Sequence, residues 1–158
     1  MITIICIGKL KEIYLKQAQD EYLKRISKFS KLKIIEIEDE RIPESAFSKE
    51  IENIKDKEGK KILKYLKVNS YVIALAIEGI YLTSEEFSSE LEKIQINGIS
   101  NIIFIIGGSL GLSKEILNAA DLKLSFSKMT FPHQIARILL LEQIYRAFKI
   151  INNEVYHK

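Results

Sequence analysis

Residues 102–113, IIFIIGGSLGLS, hold the densest chemistry-bearing pattern in the chain. A β-branched and aromatic run leads straight into Gly107, Gly108 and Gly111, and Ser113 is then placed to cap a helix. Glycines at the carboxyl end of a strand let a ligand approach the backbone closely, with free N–H groups aimed at it. A tight turn without a ligand is the plainer alternative. The loop is not a dinucleotide fingerprint, which follows the first strand of its unit, where only Gly8 stands here. Nor is it a P-loop, since no Gly-Lys-Ser/Thr follows. It does match G-x-S-x-G, with Asp121 and His133 downstream in hydrolase order. Spacing weighs against a serine hydrolase. Ser109, Asp121 and His133 follow at intervals of twelve, and the 47 residues after Gly111 are too few to place acid and base on later strands of a larger sheet.

A second stretch, LSFSKMTFPHQIAR at 124–137, gathers hydroxyls (Ser125, Ser127, Thr130), Met129, two phenylalanines and Lys128 just before a helix. Such a mixture suits a pocket for an adenine ring and a ribose. An ordinary strand-to-helix loop capped by Thr130 accounts for the same residues, and His133 alone reads as a cap or packing residue. The third stretch is INNEVYHK at 151–158, where Tyr156, His157 and Lys158 are compatible with contacting a nucleotide. A frayed end is the competing reading. Cys6 lies inside an apolar strand and reads as a buried structural thiol.

Periodicity supplies the elements that position these stretches. Apolar runs at 2–7, 32–37, 71–77 and 102–106, with a shorter one near 122–125, predict strands. Helices are expected at 11–28, at roughly 45–66 after Pro43, at 84–95, at 113–120 and at 132–151. Thr83 and Glu86 form the capping box of the third helix, and Pro132 fits the first turn of the last. Strands that are apolar throughout and alternate with helices indicate an α/β fold: a mostly parallel sheet covered on both faces, in a single domain spanning 1–158. The last helix is apolar on nearly every side, so it is buried all round or shared with a second subunit.

Composition narrows the function classes. The chain has 158 residues and a net charge of +3, and residues 121–158 carry the whole excess, six basic against three acidic side chains. One Cys and two His, with no cluster, leave no familiar metal site and no intrachain disulfide. No apolar run approaches the ~20 residues that span a bilayer, and MITIICIGKLK lacks the features of a signal peptide, so a cytoplasmic location is expected.

Taken together, IIGGSLGLS, LSFSKMTFPHQIARILLLEQIYRAFKI and the terminal YHK resemble the RlmH family, and the likeness extends over the whole chain from IICIGKLKEIYLKQAQDEYLKRI onward. Those proteins are bacterial SPOUT-class methyltransferases of large-subunit ribosomal RNA. The resemblance implies a C-terminal trefoil knot, an exception to the rule against threaded chains, and a homodimer. It implies S-adenosylmethionine bound by Leu75, by Gly107 and by the run Phe126, Ser127, Lys128, Met129, Thr130 and Phe131. The implied reaction methylates N3 of a pseudouridine in the intersubunit-bridge hairpin of 23S rRNA on the assembled ribosome, with no metal. Arg137, Tyr156, His157 and His133 are the candidates for orienting the base and favouring its deprotonated form. A ribosome-binding factor that keeps the fold without catalysis is the alternative of a different class.

Overall fold

The computed structural model describes residues 1–156. Ten elements alternate as the periodicity predicts: β1 (Ile2–Ile7), α1 (Ile13–Ile26), β2 (Leu32–Ile37), α2 (Ser48–Leu63), β3 (Ser70–Tyr81), α3 (Ser84–Ile96), β4 (Asn101–Ile106), α4 (Lys114–Ala119), β5 (Leu122–Ser125) and α5 (His133–Ile151). The strands form one sheet in the order β2-β1-β4-β3-β5, and every pairing is parallel.

The continuous apolar runs are explained by where their alternate side chains go. Ile4 and Cys6 of β1, with Ile102, Phe104 and Ile106 of β4, enter a core shared with α1, α3 and α5. Ile5 and Ile7, with Ile103 and Ile105, enter a second core closed by α2 and α4. Both faces are dry, so a strand with a polar face would leave groups unpaired. Phe104 is fully buried at the centre of the larger core. Its truncation to Ala is expected to cost about 3–5 kcal/mol. Burial also pushes the Cys6 thiol up to about 12, which makes it the inert structural group expected.

Several boundaries shift by one to four residues, and three of these differences have a physical basis. The capping box of α3 is present, with Thr83 Oγ1 accepting from the Glu86 amide at 3.1 Å and Glu86 accepting from the Thr83 amide at 2.8 Å. The start of α2, by contrast, falls three residues beyond the expected 45, where the Phe47 amide donates to Glu50 at 2.9 Å. α5 begins at His133 with Pro132 as its extended N-cap (ψ 138°), so Pro132 stands just outside the first turn and Thr130 does not cap the helix. The third difference bears on function. β3 does not stop at 77. It shifts register between Leu75 and Ile80, then pairs Ile80 and Tyr81 with β5. Glu78-Gly79 interrupts the apolar run, yet Gly79 lies so close to β5 that an added Cβ would sit 2.6 Å from the Leu124 carbonyl carbon. Only glycine lets the two backbones approach to that distance.

Candidate functional site

The carboxyl ends of β3, β4 and β5 open onto one cleft of about 740 Å³. Ligands of open α/β sheets bind outside that edge, and the volume is that of a small-molecule site.

The glycine loop forms one wall. Gly111 donates to the Gly108 carbonyl at 3.1 Å, which folds the loop back on itself. A Cβ on Gly107 would lie 2.9 Å from the Gly111 carbonyl carbon, and Gly111 itself has φ +84°, where L side chains are strained. Ser113 then caps α4, its Oγ accepting from the Ile116 amide at 3.3 Å. Beneath the loop lies Glu58 of α2, a buried residue whose one oxygen accepts from the Glu40 amide at 3.0 Å while the other faces the Cβ position of Gly108 at 3.6 Å. Burial, together with the nearby Asp39 and Glu40 carboxylates, raises its carboxyl above the ordinary range.

The other walls come from Leu75–Glu78 of β3 and from the β5–α5 connection. In that connection Ser125 Oγ donates to the Ser127 carbonyl at 3.1 Å, and Ser127 Oγ accepts from the Met129 amide at 3.0 Å. Of the residues expected to hold a cofactor, Leu75, Gly107, Phe126, Ser127, Met129, Thr130 and Phe131 line the cleft. Lys128 does not; it is exposed and turned from it. The sequence alone did not point to Ile77, Glu78 and Lys55 as cleft residues. Ile77 ends the expected strand and Glu78 falls just beyond it, while Lys55 belongs to a charge-dense stretch of α2 that reads as a solvated face.

The four candidates for handling the base are not brought together. His133 lines the cleft, its ring packed at Gly8, where a Cβ would meet Nε2 at 3.2 Å. Burial lowers its pKa, the charges of Arg137 and Lys11 lower it further, and Asp39 opposes them. The imidazole is therefore neutral at neutral pH and able to accept a proton. Arg137, expected at the base, is instead 1% exposed and absent from the cleft lining. Its guanidinium donates to Glu36 at 2.5 Å, to the Gly8 carbonyl at 2.9 Å and to Gln19 at 3.3 Å. A buried cation requires such partners, and they hold it beneath the sheet's β1–β2 side.

Tyr156 folds back onto the second half of α5. Its hydroxyl donates to Glu142 at 3.3 Å, its ring meets Tyr145 edge-on at 4.9 Å, and Arg146 sits over it at 4.7 Å. Burial and the Glu142 carboxylate keep the phenol protonated. At ~1.5 Å per helical residue, Glu142, Tyr145 and Arg146 stand roughly 14–20 Å along α5 from His133. His157 lies outside the described residues.

A serine hydrolase is ruled out by the same geometry. The Asp121 carboxylate accepts from the Val72 amide at 2.7 Å, at the amino-terminal edge of the sheet, whereas Ser109 follows the carboxyl edge of β4. Acid and nucleophile are on opposite sides of the sheet. Among the described residues, no group of three or more His, Cys, Asp or Glu could hold a metal ion, and no helix is long and apolar enough to cross a membrane.

Comparison with known proteins agrees with this architecture. The family described as "Predicted SPOUT methyltransferase" matches residues 1–157. "Ribosomal RNA large subunit methyltransferase H 1" of Clostridium perfringens (strain SM101 / Type A) is 59% identical over 157 residues, covering 99% of each chain. "Ribosomal RNA large subunit methyltransferase H" of Clostridioides difficile (strain 630) is likewise 59% identical over 99% of both chains. A protein of the same name from Clostridium botulinum (strain Hall / ATCC 3502 / NCTC 13319 / Type A) is 58% identical, again over 99% of both.

Proposed function

This chain belongs to the SPOUT methyltransferase family, and on that premise we propose that it methylates N3 of a pseudouridine in the intersubunit-bridge hairpin of 23S rRNA on the assembled ribosome, using S-adenosylmethionine. The observation that carries the proposal is the cleft. Its walls come from the three segments at the carboxyl edge that the resemblance assigns to the methyl donor, and its glycine wall is a cradle that a single Cβ at Gly107 would fill. The family implies a trefoil knot in this half of the chain.

When bound, S-adenosylmethionine supplies an electrophilic methyl group, displaced in line from its sulfonium. The protein's task is then to position the acceptor and dispose of the N3 proton. Leu75, Gly107 and the Phe126–Phe131 run, Lys128 excepted, would hold the donor. His133, neutral and at the cleft floor, is placed to take or relay a proton. Arg137 is a positioning residue: it anchors the first turns of α5 to β1 and β2, and with them His133 one turn earlier.

Tyr156 and His157 contact the base, but not at the cleft of their own chain, since Tyr156 packs on Glu142, Tyr145 and Arg146, roughly 14–20 Å along α5 from His133. We propose a homodimer in which the tail of one copy completes the cleft of the other. The half-exposed apolar Ile135 and Leu139 on α5 are suited to such packing. A net charge of only +3 suggests that free RNA is bound poorly and that the folded ribosome in the cytoplasm supplies the recognition surface.

Calorimetric titration with S-adenosylmethionine, followed by methylation of purified ribosomes, tests the reading. Saturable binding that Gly107→Trp abolishes, with methyl transfer to 23S rRNA, is expected. Ribosome binding without donor binding would instead favour a factor lacking catalysis. Efficient methylation of the isolated hairpin would overturn the requirement for the ribosome.

A further inference from the structure

Glu78 is the one carboxylate lining the cleft among the described residues, and its cationic counterpart is Lys55. The two differ in circumstance. Lys55 is half-buried and paired with Glu52 at 3.2 Å, whereas Glu78 is exposed and makes no ion pair or hydrogen bond among the described residues. The rest of the lining, His133 aside, consists of glycine, hydroxyl and apolar side chains. A lone negative charge on a wall this poor in charge favours ligands carrying positive charge.

Glu78 is also held in place. It is three residues beyond Leu75 and adjoins Gly79, whose backbone is pressed against Lys123 and Leu124 of β5, and the strand resumes pairing at Ile80. The carboxylate is thus borne on a clamped segment, and its field on the cleft is built in before any ligand arrives.

Methyl transfer changes the charge at this point. As the C–S bond breaks, its electron pair stays on sulfur; a C–N bond forms on the acceptor, whose proton is lost to a base or water. The sulfonium donor carries one positive charge more than the thioether left behind, while the ammonium and carboxylate groups are common to both. We propose that Glu78 is a specificity-determining residue that favours the sulfonium donor over its neutral thioether product, drawing the one in and letting the other leave. The inference rests on the cofactor reading above.

The test is calorimetric titration of the wild type, Glu78→Gln and Glu78→Asp with S-adenosylmethionine and S-adenosylhomocysteine, at low and high salt. Because Glu78 is exposed, all three proteins are expected to fold alike, which circular dichroism checks. Glu78→Gln should lower the donor-to-product affinity ratio by roughly three- to tenfold, mostly through the donor. Glu78→Asp should keep most of the ratio, and added salt should shrink the wild-type preference. Equal losses for both ligands, or an unchanged ratio, would overturn the role of Glu78 while leaving the cofactor reading intact. A wild type that binds neither ligand would overturn both.

Discussion

The two arginines of α5, Arg137 and Arg146, each pair with a glutamate, and the two pairs are built in opposite ways. At the amino end, Arg137 is buried and gives its guanidinium to Glu36, Gly8 and Gln19, groups from β2, β1 and α1. At the carboxyl end, Arg146 bonds Glu142 one turn earlier on its own helix, with side chains 24% and 18% exposed, and it stacks on Tyr156. The first arrangement ties three elements together and keeps the guanidinium out of the cleft, its Nε buried without a hydrogen-bond partner among the described residues. The second is local and partly solvated, so its groups can exchange partners at little cost. An arginine's sequence context does not tell which kind it is; the distance in sequence to its partner does.

The largest effect expected from this contrast is on stability. Arg137→Ala should lower the unfolding free energy by about 3 kcal/mol, since it strands the Glu36 carboxylate and the Gly8 carbonyl. Urea denaturation measures it, and an equally large loss from Arg146→Ala would erase the contrast. For Arg146→Ala the expected loss is about 1 kcal/mol or less, as for partly exposed pairs.

Next in size is a functional separation. Removing residues 155–158 should lower methylation of ribosomes at least a hundredfold (about 2.7 kcal/mol) while S-adenosylmethionine affinity stays within about twofold. Loss of donor binding on truncation would show that the tail builds the cleft rather than acting on the base. A mixture of the truncated protein with Gly107→Trp sharpens the point. If tail and cleft come from different copies, mixed dimers regain one competent site, and activity reappears where neither parent has any.

The smallest effect is a pH dependence at the amino end. Burial and the charges of Arg137 and Lys11 hold the His133 pKa below its ordinary 6.5. The unfolded chain therefore binds a proton more readily than the folded one. The stability associated with the neutral ring is present above about pH 6.5 and is lost as the pH falls through that value toward the folded one. His133→Gln should flatten this part of the stability profile in thermal melts between pH 5 and 7. An unchanged slope would remove His133 as its source.

Much of this was legible in the chain itself. The five strands follow from apolar runs because both faces of the sheet are dry, and the glycine loop announced a backbone-lined site. What escaped was tertiary. Residues 78–81 fall outside the expected strand because Glu78-Gly79 interrupts the apolar run, and their pairing with β5 depends on a contact 44 residues downstream. Arg137 was marked for chemistry because it follows the cleft segment, but its partner Glu36 is 101 residues away and no local pattern connects them. Pro132 was expected in the first turn and Thr130 as the cap, yet the helix starts one residue later and its N-cap is Pro132 itself rather than a hydroxyl.

The strand order also sets a timetable for synthesis. β1 and β2 are joined by the first thirty-seven residues and can pair as soon as they emerge, but the other edge of β1 waits for β4, which ends at Ile106. Until then, Ile2–Ile7 presents an unsatisfied apolar edge of the kind that invites wrong partners. β5 arrives last of the strands and must enter beside a β3 whose Gly79 leaves no slack. A growing chain therefore spends most of its translation with an open sheet, and its vulnerable interval closes only when the segment that builds the cleft has left the ribosome. Slow elongation over residues 40–100 should lengthen that interval, so chaperone dependence, rather than final stability, is the property most exposed to codon choice there.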